Sequence, residues 1–518
     1  MKKIKYFGVK RNAFLLAALF LFFSPLYLYA QRISYSQPER DDYRNTEFEI
    51  IGKIGVNILV FKNNKNNYAI SSYDDDMDPQ KRVPLDFLPD KVISVDFVPY
   101  SDHFQMIYQY QRKRFVYCYG VTMDANAVRM GQMVLIDSSE VGSQEVKSPV
   151  YTVVPAEDKS KIMVYKINQD KNYDNVFYTF LMDKDLNLIN NSRLTLPMES
   201  KKNYLSNFLL TNEGYLVFDK LVRAGSSDFL NGALLVIKPP AADSFQVHPV
   251  NLQQLYLDEI KIKLDNESKK IYMTSFYYKQ KRGNVEGIYF GDYDWGKGQF
   301  DSQRFIPFDD DLKMSARDQS TVNSAFNNYF IRQLIVKQSG GFVVTAEAFF
   351  TTSRYSPWNR WDYMNGPFGM SPYYSPYYFY SPFYSPWYYS PYYWNSNRGV
   401  RYHYNNVAIL SYDGKGKLEW SNFVRKEQYD DDNASFLSYQ LVNIGSSLHF
   451  LYNEPYRSSY ILADESITPD GRLTREPTLR NLDRGYQWMP RYGKQISARQ
   501  VVIPCVFRSY ICFAKIDF

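Results

Sequence analysis

The chain has 518 residues, of which 45% are hydrophobic and 18% are aromatic, and its formal net charge is +6 at pH 7. This charge is small for the length and is spread along the chain, which excludes the concentrated basic stripe that a nucleic-acid-binding protein usually carries. Three cysteines in the whole chain exclude a disulfide-stapled scaffold. No linker-like shift in composition divides the chain, so one large repeat-built domain is expected over residues 31–518.

Residues 1–30 predict a secretory signal peptide. An apolar stretch at residues 13–23 follows a basic start, and Ala30 offers a small residue for cleavage before Gln31. An uncleaved membrane anchor is disfavoured because the apolar stretch is short and is broken by Ser24-Pro25. Export places the mature protein in the periplasm, at the outer membrane or outside the cell. The basic start comprises Lys2, Lys3, Lys5, Lys10 and Arg11.

One motif recurs along the rest of the chain: an apolar strand, a short polar turn, a second apolar strand, and a turn that leads to a further short strand. The first strands of these hairpins are expected at residues 58–61, 104–108, 162–165, 215–218, 271–274, 342–345, 448–452 and 501–503. Their partners are expected at residues 68–71, 115–119, 176–180, 233–237, 287–290, 407–410, 460–462 and 510–513. Further apolar segments precede the hairpins at residues 92–97, 151–154, 205–210, 260–264, 330–336 and 437–442.

The copies number about eight at a spacing of about 45 to 60 residues, which is the size of a propeller blade. The pattern therefore predicts an all-β fold, a β-propeller of about eight four-stranded blades, with seven blades as the alternative. The last unit stops at Phe518 after its third strand, and we expect residues 32–35 to occupy its fourth position. Pairing of the N-terminal and C-terminal strands would then close the ring.

This strand spacing resembles that of secreted bacterial β-propellers over residues 32–518. The resemblance is one of architecture, because the chain lacks the WD40, kelch and sialidase repeat motifs, so no functional residue of those families carries over. It implies a protein of the cell envelope, of the kind that a Gram-negative bacterium exports.

A Tyr/Pro/Ser-rich segment at residues 351–404 interrupts one predicted hairpin. Ser-Pro recurs at residues 371, 375, 381, 385 and 390, and prolines at this density exclude a helix or a central strand. Rings folded over the propeller, or a low-complexity arm, are the structural alternatives. We favour a contact surface, because Tyr and Trp offer large rigid area at small entropic cost. The predicted binding residues are Tyr373, Tyr374, Tyr377, Tyr378, Tyr380, Phe383, Tyr384, Trp387, Tyr388, Tyr392, Tyr393 and Trp394.

The motifs for catalysis and metal binding are absent from the sequence pattern. The four histidines are scattered and indicate no triad. The run Asp74-x-Asp76-x-Asp78 imitates a calcium loop, but Pro79 and Leu85 occupy positions that need glycine and glutamate, so solvated turns are expected there and at residues 309–311 and 430–432. No catalytic residue, metal site or cofactor is predicted.

The cysteines allow one structural prediction. A two-residue turn at Arg508-Ser509 would set Cys505 opposite Cys512 in the last hairpin. The pair forms either a disulfide or two small buried hydrophobes. Cys118 is expected in the core.

The leading functional hypothesis is an exported, non-catalytic propeller that binds a protein partner in the cell envelope through the aromatic segment. The first alternative is a glycan-binding or glycan-active propeller, and the enzyme version requires clustered, unpaired carboxylates in the central cavity. The second alternative is an outer-membrane β-barrel, because the chain ends on Ile516-x-Phe518; continuous apolar strands argue against it. Peripheral membrane contact also remains open, whereas nucleic acid is excluded.

Overall fold

The computed structural model describes residues 31–39, 46–200, 203–224, 229–317, 321–353, 400–431, 434–456, 459–476 and 485–518. Within these ranges nearly all regular structure is β-strand, and neighbouring strands pair antiparallel. The predicted all-β fold is therefore confirmed. The physical basis is the high content of aromatic residues, which suit a pleated and half-buried surface.

The first three sheets have four strands each, and consecutive strands are neighbours within them. The first sheet contains β2 (Thr46–Ile54), β3 (Asn57–Asn64), β4 (Asn67–Tyr73) and β5 (Pro79–Pro84). The second contains β6 (Ser94–Pro99), β7 (His103–Arg112), β8 (Phe115–Asp124) and β9 (Arg129–Glu140). The third contains β10 (Thr152–Pro155), β11 (Lys161–Gln169), β12 (Asn175–Asp183) and β13 (Leu188–Leu196).

The fourth sheet has nine strands and contains two four-stranded units joined by a two-residue strand. Its first unit contains β14 (Asn203–Leu210), β15 (Leu216–Arg223), β16 (Leu230–Lys238) and β17 (Gln246–Pro249). The joining strand is β18 (Tyr256–Leu257), which pairs with both β16 and the second unit. The second unit contains β19 (Lys261–Asp265), β20 (Lys270–Tyr278), β21 (Gly287–Asp294) and β22 (Gln299–Pro307).

The last three sheets repeat the four-stranded order with small additions. The fifth contains β23 (Tyr329–Val336), β24 (Phe342–Ser353), β25 (Val400–Tyr412) and β26 (Leu418–Val424), and β27 (Gln428–Asp430) pairs with β25. The sixth contains β28 (Tyr439–Asn443), β29 (Leu448–Tyr456), β30 (Ser459–Ile467) and β31 (Leu473–Arg475). The seventh contains β32 (Tyr486–Trp488), β33 (Lys494–Ser497), β34 (Gln500–Phe507), β35 (Tyr510–Asp517) and β1 (Arg32–Tyr35).

The N-terminal strand β1 joins the C-terminal sheet, as the sequence predicts. It pairs antiparallel with β35, with Arg32 opposite Asp517 and Tyr35 opposite Ala514. The predicted hairpins are also observed, as β3/β4, β7/β8, β11/β12, β15/β16, β20/β21, β24/β25, β29/β30 and β34/β35. This all-β arrangement of antiparallel four-stranded units is consistent with a β-propeller.

The first strands of consecutive units lie next to one another. β2 contacts β6, β10 contacts β14, β14 contacts β19, and β19 contacts β23; β33 of the last sheet contacts β2 of the first. The hydrophobic core fills the spaces between the sheets, so most inner strands are buried on both faces and read as continuous apolar runs, as in β3. The outer strands are exposed: every residue of β5 is exposed or half-buried.

The aspartates of the third turn of several units act as turn caps. The Asp74 carboxylate accepts hydrogen bonds from the backbone N–H groups of Asp76 (3.0 Å) and Asp78 (2.9 Å). Among the described residues, Asp124, Asp183 and Asp413 repeat this geometry in the third turns of their units, and Asp170 repeats it in the β11–β12 turn. The calcium-like spacing at Asp74 is therefore turn chemistry, in which a short carboxylate caps the backbone two and four residues on.

The acidic run at residues 309–311 differs from the predicted turn, because it begins the helix α1 (Asp310–Ala316). Asp309 is its N-cap and accepts a hydrogen bond from the Leu312 N–H at 2.8 Å, while Leu312 and Ala316 are buried. Of the run at residues 430–432, Asp430 ends the strand β27, Asp431 follows it, and Asp432 lies outside the described residues. Among the described residues, no helix has the length and apolar character needed to cross a membrane.

Candidate ligand-binding cavity

A large cavity lies where the first strands of five consecutive units come together. Its volume is about 1670 Å³, and it is lined by β10, β14, β19, β23 and β28 and the turns that follow them. These strands come from the third to the sixth sheet. No single unit forms this cavity, because its wall combines strands and turns from five units, with further residues such as Asp292 and Leu448 from neighbouring strands.

A chain of hydrogen bonds joins the turns at the rim. The Glu157 carboxylate accepts from Lys263 Nζ at 3.2 Å and from Asn266 Nδ2 at 2.9 Å. The Asn266 side-chain carbonyl accepts from the Asn212 backbone N–H at 2.9 Å, and the Asn212 side-chain carbonyl accepts from the Asp158 backbone N–H at 3.2 Å. The rim is therefore cross-linked between units and presents fixed polar groups.

Four of the five carboxylates that line the cavity have hydrogen-bond partners, and the fifth, Glu267, is exposed at the rim. Glu157 binds Lys263 and Asn266, as described above, and Asp292 binds Lys270 Nζ at 2.8 Å. Asp158 caps the N–H of Ser160 at 2.9 Å. Asp265 caps the turn that follows it, accepting from the N–H of Glu267 at 3.1 Å. The clustered, unpaired carboxylates required by the enzyme hypothesis are not observed at these four lining positions.

Arg332 connects the cavity wall to a buried ion cluster. Its guanidinium donates to Glu347 at 2.9 Å, and Lys426 Nζ donates to the other carboxylate oxygen at 2.8 Å. Ser438 Oγ donates to the same carboxylate at 2.7 Å. All four residues are buried.

The ion cluster determines the ionisation of its members. Burial alone would raise the pKa of Glu347, but Lys426 and Arg332 outweigh it and lower that pKa to about 2. The pKa of Lys426 is lowered chiefly by burial, even though Glu347 acts in the opposite direction. The direction for Glu347 gives an ionised carboxylate, whose charge is shared between Arg332 and Lys426.

Asn207 and Asp219 form a second buried polar pair at the wall. Asn207 lines the cavity, has φ +52°, and lies at a β-bulge between β14 and β15. Its Nδ2 donates to Asp219 Oδ2 and to the Ile260 carbonyl, both at 2.8 Å. Burial raises the pKa of Asp219 to about 7, and the Asn207 hydrogen bond offsets only part of that rise.

The twelve predicted aromatic binding residues, from Tyr373 to Trp394, lie outside the described residues. The hairpin that carries them is described up to Ser353 and again from Val400, which are directly opposite each other. The paired strands β24 and β25 thus extend into the ends of the insertion predicted at residues 351–404. The β23–β24 turn borders the cavity, so β24 carries the chain to the opposite end of the sheet before Ser353.

The base of this hairpin is tightly packed. The Tyr404 ring is fully buried and meets Phe349 edge-on, with ring centroids 4.8 Å apart. The guanidinium of Arg491 lies 5.2 Å from the centroid of the same ring and donates to its hydroxyl at 3.3 Å. β27 adds a further strand beside residues Tyr402 and Tyr404 of β25.

Cys505 and Cys512 are directly opposite each other, as predicted. Both are buried free thiols, and their Sγ atoms are 2.8 Å apart. Cys118 is also a free thiol in the core. Burial raises the pKa of Cys118 and, together with Cys512, that of Cys505.

Three histidines have ordinary polar partners. His103 Nδ1 lies 2.7 Å from Asp102, His248 Nε2 lies 2.7 Å from the Tyr293 hydroxyl, and His403 Nε2 lies 3.1 Å from Thr352. His103 and His403 also stack on Tyr100 and Phe350.

Sequence reasoning missed the cavity-lining residues. They lie in the apolar segments predicted before the hairpins and in the turns that follow, to which no binding role was given, and their relationship is visible only when equivalent turns are aligned. Asp158, Asn212 and Asn266 recur at intervals of 54 residues. That regular spacing of polar turn residues was the available signal.

Comparison with known proteins identifies no family to which the chain belongs. No protein-family model and no curated protein matches the chain. Among solved structures, the chain is similar to a polysaccharide lyase of family PL25, an ulvan lyase bound to its saccharide, with 9% identity, coverage of 81% of this chain and 90% of that chain, and a TM-score of 0.37. It is also similar to prolyl oligopeptidase B from Galerina marginata, with 9% identity, coverage of 91% of this chain and 56% of that chain, and a TM-score of 0.40. TM-scores this low leave the function to be argued from the residues of this chain.

Proposed function

We propose that this protein is an exported β-propeller of eight blades whose central cavity binds a short glycan. The observation that carries this proposal is the cavity of about 1670 Å³ lined by polar side chains and turns from five consecutive units. Small-molecule sites are concave and few per protein, and a central channel is a usual place for one in this architecture.

The blade number rests on counting four-stranded units. The nine-stranded sheet contributes two, β14–β17 and β19–β22, and the other six sheets contribute one each. Closure of the ring is supported by the pairing of β1 with β35, by the contact of β33 with β2, and by the ion pair between Lys515 of β35 and Asp75 of the first sheet at 3.1 Å.

The chemistry of the lining favours a neutral, hydroxyl-rich ligand. Amide side chains that both donate and accept hydrogen bonds are distributed around the wall, and charged side chains of both signs alternate with them. The lining amides and charges include Asn207, Asn212, Asn266, Gln333, Gln338, Asn443, Lys261, Lys263, Lys270, Glu157, Asp158 and Asp265. A strongly anionic or cationic ligand would be matched by an excess of one sign, which this wall does not have.

The pairing of four of the five lining carboxylates favours binding over glycoside cleavage, because it leaves Glu267 without a second unpaired carboxylate among them. Glycoside hydrolysis needs two carboxyl groups poised to donate and accept protons at the scissile bond. Glu157, Asp158, Asp265 and Asp292 instead hold turns and lysines in place.

A glycan microarray followed by calorimetry tests the proposal. The double variant Glu267→Trp/Gln338→Trp adds two indoles at the cavity rim, and we expect it to weaken glycan binding at least about tenfold, or 1.4 kcal/mol. The matched control is Gln132→Trp/Glu140→Trp on the outer strand β9, which should bind like the native protein. Absence of glycan binding by the native protein, or equal binding by the rim variant, would contradict the proposal.

The aromatic segment supports a second function, docking of a protein partner in the envelope. The specific observation is the hairpin β24/β25, whose two strands continue to Ser353 and Val400 on the packed base around Tyr404. A rigid base reduces the entropy lost when a partner binds. The segment leaves the sheet at the end opposite the β23–β24 turn, so both functions can coexist.

Replacing residues 354–399 by Asn-Gly tests the docking function. Ser353 and Val400 are opposed, so a two-residue turn can join them without changing the register. The shortened protein should keep its thermal unfolding midpoint and its glycan binding but lose the envelope protein that accompanies the native chain in a pull-down. Recovery of the same companion with the shortened protein would exclude this role.

A further inference from the structure

The fourth histidine differs from the other three. His449 Nε2 lies 2.9 Å from Ser447 Oγ, and His449 Nδ1 lies 2.9 Å and 3.1 Å from the two carboxylate oxygens of Asp464. These are the two hydrogen bonds of a serine nucleophile, its base and the carboxylate that orients the base. They occur outside the residues that line the cavity.

The register of the sixth sheet explains how these residues meet. Ser447 immediately precedes β29, and the side chain of His449, the second residue of β29, lies on the face where it meets the Ser447 hydroxyl. On that face His449 is opposite Ser466, and Leu451 is opposite Asp464, which places Asp464 diagonally across from His449. The contact depends on two strands and cannot be read from the spacing of the residues.

The environment favours the tautomer that a base needs. Asp464 is fully buried and also accepts a hydrogen bond from Gln31 Nε2. A carboxylate can only accept, so His449 carries its proton on Nδ1, and Nε2 is left to accept the Ser447 hydroxyl. The Phe518 ring packs on the imidazole, with centroids 4.9 Å apart, and restricts its orientation.

Of these three residues, only Ser447 is partly accessible to solvent. His449 and Asp464 are buried, whereas Ser447 is half-buried in the turn between β28 and β29. The turn is narrow and polar, with Gly445 at φ +74° and its N–H bonded to Asn443. Asn443 and Leu448 of the same turn line the cavity, so Ser447 lies beside its rim.

We propose that Ser447, His449 and Asp464 form a hydrolytic triad that cleaves a short acyl ester. Ser447 Oγ bonds to the ester carbonyl carbon while its proton passes to His449 Nε2. The carbon–oxygen bond to the alcohol then breaks, and His449 returns the proton to the departing alcohol, which leaves an acyl-serine. Water attacks the acyl-serine with His449 again as base, releasing the carboxylic acid and restoring Ser447. Asp464 stabilises the imidazolium throughout and is not itself protonated.

An ester is favoured over an amide because an alcohol departs more readily than an amine. A short acyl group is favoured because Ser447 is only half-buried and the turn beside it is small. This activity goes beyond glycan binding and does not depend on it.

Labelling with a fluorophosphonate probe and acylation by p-nitrophenyl acetate test the triad in the full mature chain. We expect one covalent adduct, mapped to Ser447 by peptide mass spectrometry, and no adduct in Ser447→Ala. Ser446→Ala removes the neighbouring hydroxyl of the same turn and should label like the native protein. Asp464→Asn should slow the acylation of Ser447 at least about 100-fold, because the wrong tautomer would be favoured.

The competing explanation is structural: the His449–Asp464 pair would only anchor Gln31 and Phe518. In that case Asp464→Asn lowers the thermal midpoint, and the folded native protein carries no adduct on Ser447 with either reagent. Ser447→Ala loses a single hydroxyl at a half-buried turn, so its folding is expected to persist. An unlabelled native protein, or equal labelling of Ser447 in native protein and Asp464→Asn, would overturn the proposal.

Discussion

The side-chain carbonyl of Asn266 accepts a hydrogen bond from the backbone N–H of Asn212, at 2.9 Å and across 54 residues of sequence. The side-chain carbonyl of Asn212 accepts the same kind of hydrogen bond from the backbone N–H of Asp158, again across 54 residues. Equivalent turns of three consecutive units are thus joined by one repeated contact. Such a contact stabilises the packing of units against one another rather than any single unit.

Removal of this contact should lower the stability of the whole fold. We expect Asn266→Ala to lower the free energy of unfolding by about 1 kcal/mol, and more where the Asn212 N–H is left without a partner. Urea unfolding followed by tryptophan fluorescence measures the change. Asn172→Ala, at an exposed turn of the third sheet, is the matched control and should have a change of less than about 0.5 kcal/mol. Equal effects of the two variants would show that the contact between units is not stabilising.

The buried ion cluster should be sensitive to loss of its single carboxylate. Glu347→Gln leaves the buried charges of Arg332 and Lys426 uncompensated, and we expect it to destabilise the fold by about 3–5 kcal/mol at pH 7. The pKa of Glu347 is about 2 in the folded protein and 4.5 as a reference, so its stabilising contribution is present above pH 4.5 and is lost as the pH falls towards 2. The loss of stability over that interval should therefore be smaller in Glu347→Gln, measured by urea midpoints from pH 2 to 7.

The contribution of Asp219 to the free energy of unfolding should change with pH in the direction opposite to that of Glu347. Its pKa rises from 3.8 to about 7 on folding, so the protonated form favours the folded state below pH 3.8 and this contribution disappears as the pH rises through 7. Asp219→Asn keeps a neutral acceptor for Asn207. We expect the variant to remove this decline and to be at least as stable as the native protein at pH 8. A native stability that is flat between pH 4 and 8, relative to the variant, would contradict the assignment.

The three cysteines should be unreactive in the folded protein. All are buried thiols, and the pKa values of Cys118 and Cys505 are raised, so little thiolate is present at neutral pH. We expect no reaction with a disulfide reagent on the native chain and three thiols per chain after unfolding in denaturant. The variant Cys505→Ser/Cys512→Ser should have one reactive thiol per chain, that of Cys118, after unfolding. A count of one thiol per chain after unfolding without reductant would show that Cys505 and Cys512 form a disulfide.

Strand positions were largely predictable from local patterns. The hairpin 58–61/68–71 lies inside β3 and β4, and the pairing of Cys505 with Cys512 followed from a two-residue turn. These predictions succeed because a strand buried on both faces needs a continuous apolar run, and turn residues mark where it ends. The helix α1 was missed because its two turns are too short to establish a helical period.

The sequence by itself determined an all-β chain of repeated hairpins, since apolar runs and turn residues act on their immediate neighbours. Only the tertiary structure decided that Glu157 meets Lys263 and Asn266, and that Ser447, His449 and Asp464 form one hydrogen-bonded chain. The first contact depends on how sheets pack, and the second on the register between strands. Both contacts include residues on different strands or units, so no local pattern of the sequence could establish them.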